Sequence, residues 1–301
     1  MGQAATPVLA GKTLLLPCDQ ESGSFFIALD KDTGKVRWRV ERPEYTRGFS
    51  TPVLWRPQGG RLQVLQAGSY RLVAYDVETG KEEWFVGGLT WQLKPTPVLG
   101  DDSIYVLGWA GEADPGQQET VPEFEEVVAK LDKNGDRKLQ REEIDNPKIV
   151  KAFDDLDLDR DGAMGKRDWQ MYQSKRAVVN GVRAFRLGGK GDMTGTNTLW
   201  KYEKSLPNVP SPLLYQGVLY LCKEGGILTA LDAKTGNVLK QGRITGAPGA
   251  YFSSPIAADG KIYTVSEEGK LAVLKPGADW EVLKIVDFNE SVNATPAIAD
   301  G

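Results

Sequence analysis

The oxygen-bearing residues with the most regular spacing fall in two twelve-residue stretches. The first reads Asp132-Lys133-Asn134-Gly135-Asp136-Arg137-Lys138-Leu139-Gln140-Arg141-Glu142-Glu143, and the second Asp157-Leu158-Asp159-Arg160-Asp161-Gly162-Ala163-Met164-Gly165-Lys166-Arg167-Asp168. Ca2+ takes about six to eight oxygen ligands, and a tight loop supplies them from side chains at positions 1, 3 and 5, a carbonyl at 7 and a carboxylate at 12. In the first stretch these are Asp132, Asn134, Asp136, the Lys138 carbonyl and Glu143. In the second they are Asp157, Asp159, Asp161, the Ala163 carbonyl and Asp168, with Gly165 leaving room for a water. Other chemistries are closed off. The chain has no histidine, and its two cysteines, Cys18 and Cys222, are far apart, which excludes Ser-His-Asp and Cys-His nucleophiles, His-containing zinc sites and thiolate clusters.

Helices must hold such loops. Thr120-Val121-Pro122-Glu123 has the form of a capping box, and Phe124, Val127, Val128 and Leu131 then share one helical face. Asn146-Pro147 opens a second helix with Ile149, Phe153 and Leu156 inward, and Trp169 and Tyr172 follow the second loop. The two loops with their flanking helices resemble EF-hands, and the resemblance implies that Leu139 and Met164, at position 8, join the loops through a short β-bridge. Each loop departs from the pattern once. Arg137 stands where glycine usually makes the turn, which forces a side-chain-bearing residue to positive φ at about 1–2 kcal/mol. Asp168 is one methylene shorter than glutamate, yet the second loop has four ionised ligands against three and keeps Gly162, so it is expected to be the tighter site.

On either side of this segment the chain is repetitive. A Ser/Thr-Pro-apolar step recurs at Thr6-Pro7, Thr51-Pro52, Thr96-Pro97, Ser211-Pro212, Ser254-Pro255 and Thr295-Pro296, at spacings of 45, 45, 115, 43 and 41. A second signature runs from Ala28-Leu29-Asp30 through Thr33-Gly34 to Trp38, from Ala74-Tyr75-Asp76 through Thr79-Gly80 to Trp84, and from Ala230-Leu231-Asp232 to Thr235-Gly236. Asp followed by Gly between alternating strands predicts a hairpin turn, the Asp binding turn amides and the Gly supplying positive φ. Each period then holds four short antiparallel strands that must stack on neighbours, radially as in a β-propeller, with Trp38 and Trp84 packed between blades.

This signature resembles the PQQ-like (pyrroloquinoline-quinone-type) propeller repeat of quinoprotein dehydrogenases and their non-enzymatic relatives. The expected fold is an all-β propeller of four-stranded antiparallel blades, about five and a third of them, with a small all-α EF-hand insertion. Its parts are residues 1–113 (blades 1–3, first part), 114–176 (the insertion, within the third blade) and 177–301 (the rest of blade 3, blades 4 and 5, and the start of a sixth). Because family propellers usually close with seven or eight blades, the chain is expected to be incomplete. The pattern degenerates at Ala184-Phe185-Arg186-Leu187-Gly188-Gly189, at Lys240 where tryptophan is expected, and at Lys275-Pro276-Gly277.

Charge supports the two-part reading: residues 112–176 hold 17 acids and 12 bases, the remainder 24 acids and 25 bases. The propeller therefore offers no basic stripe for nucleic acid, and no apolar run is long enough to span a membrane. The expected function is a non-enzymatic scaffold that binds Ca2+ and meets a protein or polysaccharide on the face bearing the insertion, where Tyr45, Arg47, Phe49, Trp91, Lys94, Tyr251 and Phe252 lie on connections between blades. The resemblance implies a periplasmic, cell-envelope or extracellular setting. The alternative is a PQQ- and calcium-dependent dehydrogenase or a fragment of one. Active relatives carry a vicinal disulfide, whereas Cys18 and Cys222 fall in corresponding strands of different repeats.

Overall fold

The computed structural model describes residues 5–20, 23–111 and 113–299, so the outermost ends of the expected parts, and Asp300-Gly301 at the end of the sixth repeat, lie outside the described residues. Five four-stranded antiparallel blades follow one another, with strand order equal to chain order in each. Blade 1 comprises Val8–Ala10, Thr13–Cys18, Phe25–Asp30 and Val36–Glu41; blade 2 comprises Val53–Trp55, Gln63–Gly68, Arg71–Asp76 and Glu82–Val86. Blade 3 comprises Val98–Leu99, Ser103–Gly108, Gly181–Arg186 and Thr198–Tyr202. Blades 4 and 5 span Leu213–Arg243 and Ile256–Asp287.

Period-2 alternation sends successive side chains to opposite faces of each sheet, and both faces of the middle blades are apolar. In blade 4, Leu219, Leu221 and Leu231 pack with Tyr105, Leu107 and Val182 of blade 3. Their neighbours Tyr220, Cys222 and Ala230 pack instead with Ile262, Ala272 and Leu274 of blade 5. Equivalent cores join blades 1 and 2, and blades 2 and 3.

The repeated sequence marks hold these junctions. The Thr6, Thr96, Ser211 and Ser254 amides donate to the hydroxyls of Thr51, Ser211, Ser254 and Thr295, the matching residue one repeat later, at 3.3, 2.9, 2.9 and 3.0 Å. In the turns, Asp30, Asp76 and Asp232 each accept from the amide and hydroxyl of the threonine three residues on, and Gly34, Gly80 and Gly236 take φ of 71°, 71° and 73°. Trp38 of blade 1 lies on the turn of blade 2, its indole nitrogen donating to the Val77 carbonyl at 2.8 Å.

The third repeat recovers this arrangement by a detour invisible to the periodicity. After Arg186 the chain adds Gly191–Asp192 as a parallel fifth strand beside Glu82–Val86 of blade 2, makes a short helix at Thr194–Asn197, and returns with Trp200 opposite Ala184. Trp38 and Trp84 likewise sit opposite alanines, Ala28 and Ala74. At Lys240 the next blade supplies the ring: its ammonium lies 4.8 Å from the centre of Trp280 and donates to the Trp280 carbonyl at 2.7 Å.

Glycine in the turn is a packing requirement as well as a conformational one. A Cβ on Gly80 would lie 2.6 Å from the Trp38 ring, and one on Gly236 2.6 Å from Trp200, whereas Gly34 has open space. Gly34→Ala should cost about 1 kcal/mol from positive φ alone, and Gly80→Ala and Gly236→Ala about 1–3 kcal/mol more from overpacking. Urea unfolding of the three variants checks this ordering.

Candidate calcium centre

The segment between Ser103–Gly108 and Gly181–Arg186, which pair directly, contains three helices: α1 (Phe124–Leu131), α2 (Pro147–Leu156) and α3 (Lys166–Ala177). They enclose their own core, with Phe124, Val127, Ile149, Phe153, Leu156, Trp169 and Tyr172 buried. Asn146 caps α2 by accepting from the Lys148 amide at 3.0 Å, with Pro147 in the first turn. The capping box expected at Thr120 does not form: α1 starts after Glu123 without a side-chain cap. The preceding chain is drawn to α3 instead, where the Trp169 indole donates to the Pro122 carbonyl at 2.8 Å.

The two acidic loops join α1 to α2 and α2 to α3. Leu139–Gln140 pairs antiparallel with Ala163–Met164, setting Leu139 opposite Met164, both fully buried. Lys138 precedes the first of these strands and Ala163 opens the second.

Inside the loops most of the hydrogen bonds recur at matching positions. Asp132 accepts from the amides of Gly135 and Arg137 at 2.7 and 2.9 Å, as Asp157 does from Asp161 and Gly162 at 3.2 and 2.9 Å. Asn134 accepts from Asp136 N at 2.8 Å, and Asp159 from Asp161 N at 3.3 Å. Asp136 accepts from Lys138 N at 2.8 Å, and Asp161 from Ala163 N at 3.0 Å. The closing residues are buried and span their loops: Glu143 accepts from Lys133 and Gln140 amides at 2.8 and 3.0 Å, Asp168 from Leu158 and Gly165 amides at 3.1 and 2.8 Å. The shorter Asp168 thus makes the same bridge as Glu143.

The loops differ in how the carboxylates converge. In the second, oxygens of Asp157, Asp159 and Asp161 lie within 4.8 Å of one another. Burial, with the charges of Asp159 and Asp157 nearby, pushes the Asp168 carboxyl above its ordinary range. In the first, Asp136 is held by amide donors from Asn134 and Gln140 at 3.2 and 2.7 Å, and hydrogen bonding lowers its carboxyl.

Backbone strain does not distinguish them, contrary to the expectation built on Gly162. Each loop has two left-handed residues, at positions 4 and 6, one glycine and one arginine: Gly135 and Arg137 at φ 79° and 61°, then Arg160 and Gly162 at 59° and 89°. The glycine has only changed places. Arg160 carries no sequence mark that sets it apart from a surface arginine.

The helical segment rests on the expected face of the propeller. Arg47 pairs with Asp155 of α2 at 3.2 Å and Arg167 of α3 with Glu44 at 2.7 Å, while Lys175 lies 5.0 Å from the Trp91 ring centre. A cleft of about 760 Å3 opens there, with Arg47 and Trp91 on one wall and Phe153, Asp155 and Asp157 on the other. Tyr45 and Tyr251, expected at this face, are core residues at 2% exposure each, and Phe252 is exposed. Lys94 is half-buried, donates to Asn208 at 2.7 Å, and has its ammonium pKa lowered by burial.

The profile of the family described as outer membrane protein assembly factor BamB matches residues 2–120 and 27–281. The chain belongs to this family of PQQ-like repeat propellers. The solved structure of BamB from Moraxella catarrhalis is similar, at 14% identity and a TM-score of 0.58, over 98% of this chain and 67% of that one. The quinohemoprotein alcohol dehydrogenase of Comamonas testosteroni is similar at 14% identity and 0.54, and ADHIIG of Pseudomonas putida HK5 at 12% and 0.53. This chain spans 43% and 42% of the two dehydrogenases' length. No match is found among curated protein sequences.

Asp168 has a structural duty separable from metal binding. Asp168→Ala leaves the buried Leu158 amide and the part-buried Gly165 amide without an acceptor and should lower the stability of α3 by about 1–3 kcal/mol even in chelator, whereas Asp159→Ala, at an exposed position, should not. Hydrogen exchange of the α3 amides in EDTA measures the difference.

Proposed function

We propose that the chain is a non-catalytic PQQ-like propeller whose helical insertion is an EF-hand pair binding Ca2+, and that it presents the face bearing this insertion to a protein partner in the cell envelope. The observation that carries the calcium reading is the convergence of Asp157, Asp159 and Asp161 in a loop closed by a buried twelfth carboxylate. The donor set is all oxygen, which suits Ca2+ better than a softer metal. Asp132, Asn134, Asp136, the Lys138 carbonyl and Glu143 would serve the first site, and Asp157, Asp159, Asp161, the Ala163 carbonyl and Asp168 the second. Bound there, Ca2+ would neutralise the carboxylates and brace α2 and α3 against the propeller through Asp155 and Arg167.

Three observations support the scaffold role. The description of the family names an outer membrane assembly factor, which favours an envelope setting and a protein rather than a polysaccharide partner. Among the described residues, no helix is long and apolar enough to cross a membrane. Cys222, in the core between blades 4 and 5, and Cys18, buried in blade 1, are both free and have no cysteine beside them in the chain, so neither belongs to a vicinal pair. Likeness to two quinohemoprotein dehydrogenases keeps PQQ binding as a second reading, which a bound quinone absorbance after adding PQQ would favour.

Calorimetric titration with Ca2+ should give binding heat in the wild type and lose the second-loop component in Asp157→Ala/Asp159→Ala. Absence of heat in the wild type would remove the calcium reading.

A further inference from the structure

The two loops are joined by more than their β-bridge. Lys138, whose carbonyl is the seventh-position group of the first loop, extends its ammonium into the second loop and pairs with the Asp161 carboxylate. One oxygen of Asp161 accepts from the Ala163 amide at 3.0 Å, and the other receives the lysine. Position 5 of the second loop therefore already has a cation, from its partner loop. Among the described residues the first loop has no such ion pair: its position-5 residue, Asp136, is bonded by neutral donors, the Lys138 backbone amide and the side-chain amides of Asn134 and Gln140, and the Lys138 charge reaches it only through space.

We propose that Lys138 is an internal counter-ion that competes with Ca2+ for Asp161 and thereby sets the affinity of the second loop. This inference rests on the calcium reading above. A metal ion needs the Asp161 oxygen that the ammonium holds, so filling the second loop requires Lys138 to withdraw. The side chains of Lys138 and Asp161 are 43% and 33% exposed, so water screens the pair and its displacement carries a modest penalty.

Tb3+ bound in the second loop should be sensitised by Trp169, which follows Asp168 in the chain, and Ca2+ should compete the signal away. Lys138→Met should tighten Tb3+ and Ca2+ binding at the second loop about fivefold, and added salt should shrink the difference. Lys133→Met makes the same change in net charge from an exposed position in the first loop and should leave that affinity unchanged. Equal affinities in wild type and Lys138→Met, or an equal gain in both variants, would overturn the inference while leaving the calcium reading in place. If neither wild type nor Lys138→Met binds either ion, both fall together. Binding by Lys138→Met alone would remove the calcium reading of the natural chain, and this inference with it.

Discussion

Each blade is a four-stranded sheet whose central strands carry apolar side chains on both faces, so it gains stability by stacking on its neighbours. The rest of the architecture follows from that constraint. Four successive cores join the five blades, and the central strands of the middle blades divide their residues between two of them. The junctions are reinforced where the sequence repeats: at Thr51, Ser211, Ser254 and Thr295 the hydroxyl before the proline takes an amide from the preceding repeat, and Trp38 and Trp200 lie on Gly80 and Gly236 of the next turn. In the first junction a buried ion pair is added. Arg42 donates to both oxygens of Asp19 at 2.8 and 2.9 Å and to the Tyr75 hydroxyl at 2.5 Å, stacked over Tyr45. Gly48 and Gly68 give this cluster its space, since a Cβ on either would collide with it.

Such a stack tolerates an interruption in a loop but not in a strand. The helical insertion obeys this rule, leaving Ser103–Gly108 and Gly181–Arg186 in full register while it builds a separate core above them. Its loops are organised by backbone amides before any metal is considered. Nearly every acidic side chain in them already accepts an N–H, and the twelfth residue of each is buried across its loop. That pre-organisation lowers the ordering cost of a metal site. Contacts from Asp155 and Arg167 to the propeller tie the same helices to the blade connections.

Much of this was legible in the chain. The repeats gave the blade order, the Asp-x-x-Thr-Gly turns behaved alike in three blades, and Arg137 took the positive φ its position demanded. What escaped was substitution between distant residues. Trp200 restores the third blade after a detour of irregular length, and Trp280 replaces from the following blade the ring missing at Lys240. The Thr120 capping box had the right letters, but α1 starts only after Glu123, and the preceding chain is tied to α3 by the Trp169 indole at the Pro122 carbonyl.

The amino-acid sequence by itself determined the period, the strand alternation, the position of the insertion and the acidic loops, because each of these is a matter of spacing along one chain. Tertiary structure alone decided which glycines face a tryptophan, that Arg160 shares the strain of Gly162, and that Lys138 meets Asp161. Those outcomes depend on two segments approaching within a few ångströms, and local residue preferences carry no information about which distant partner arrives.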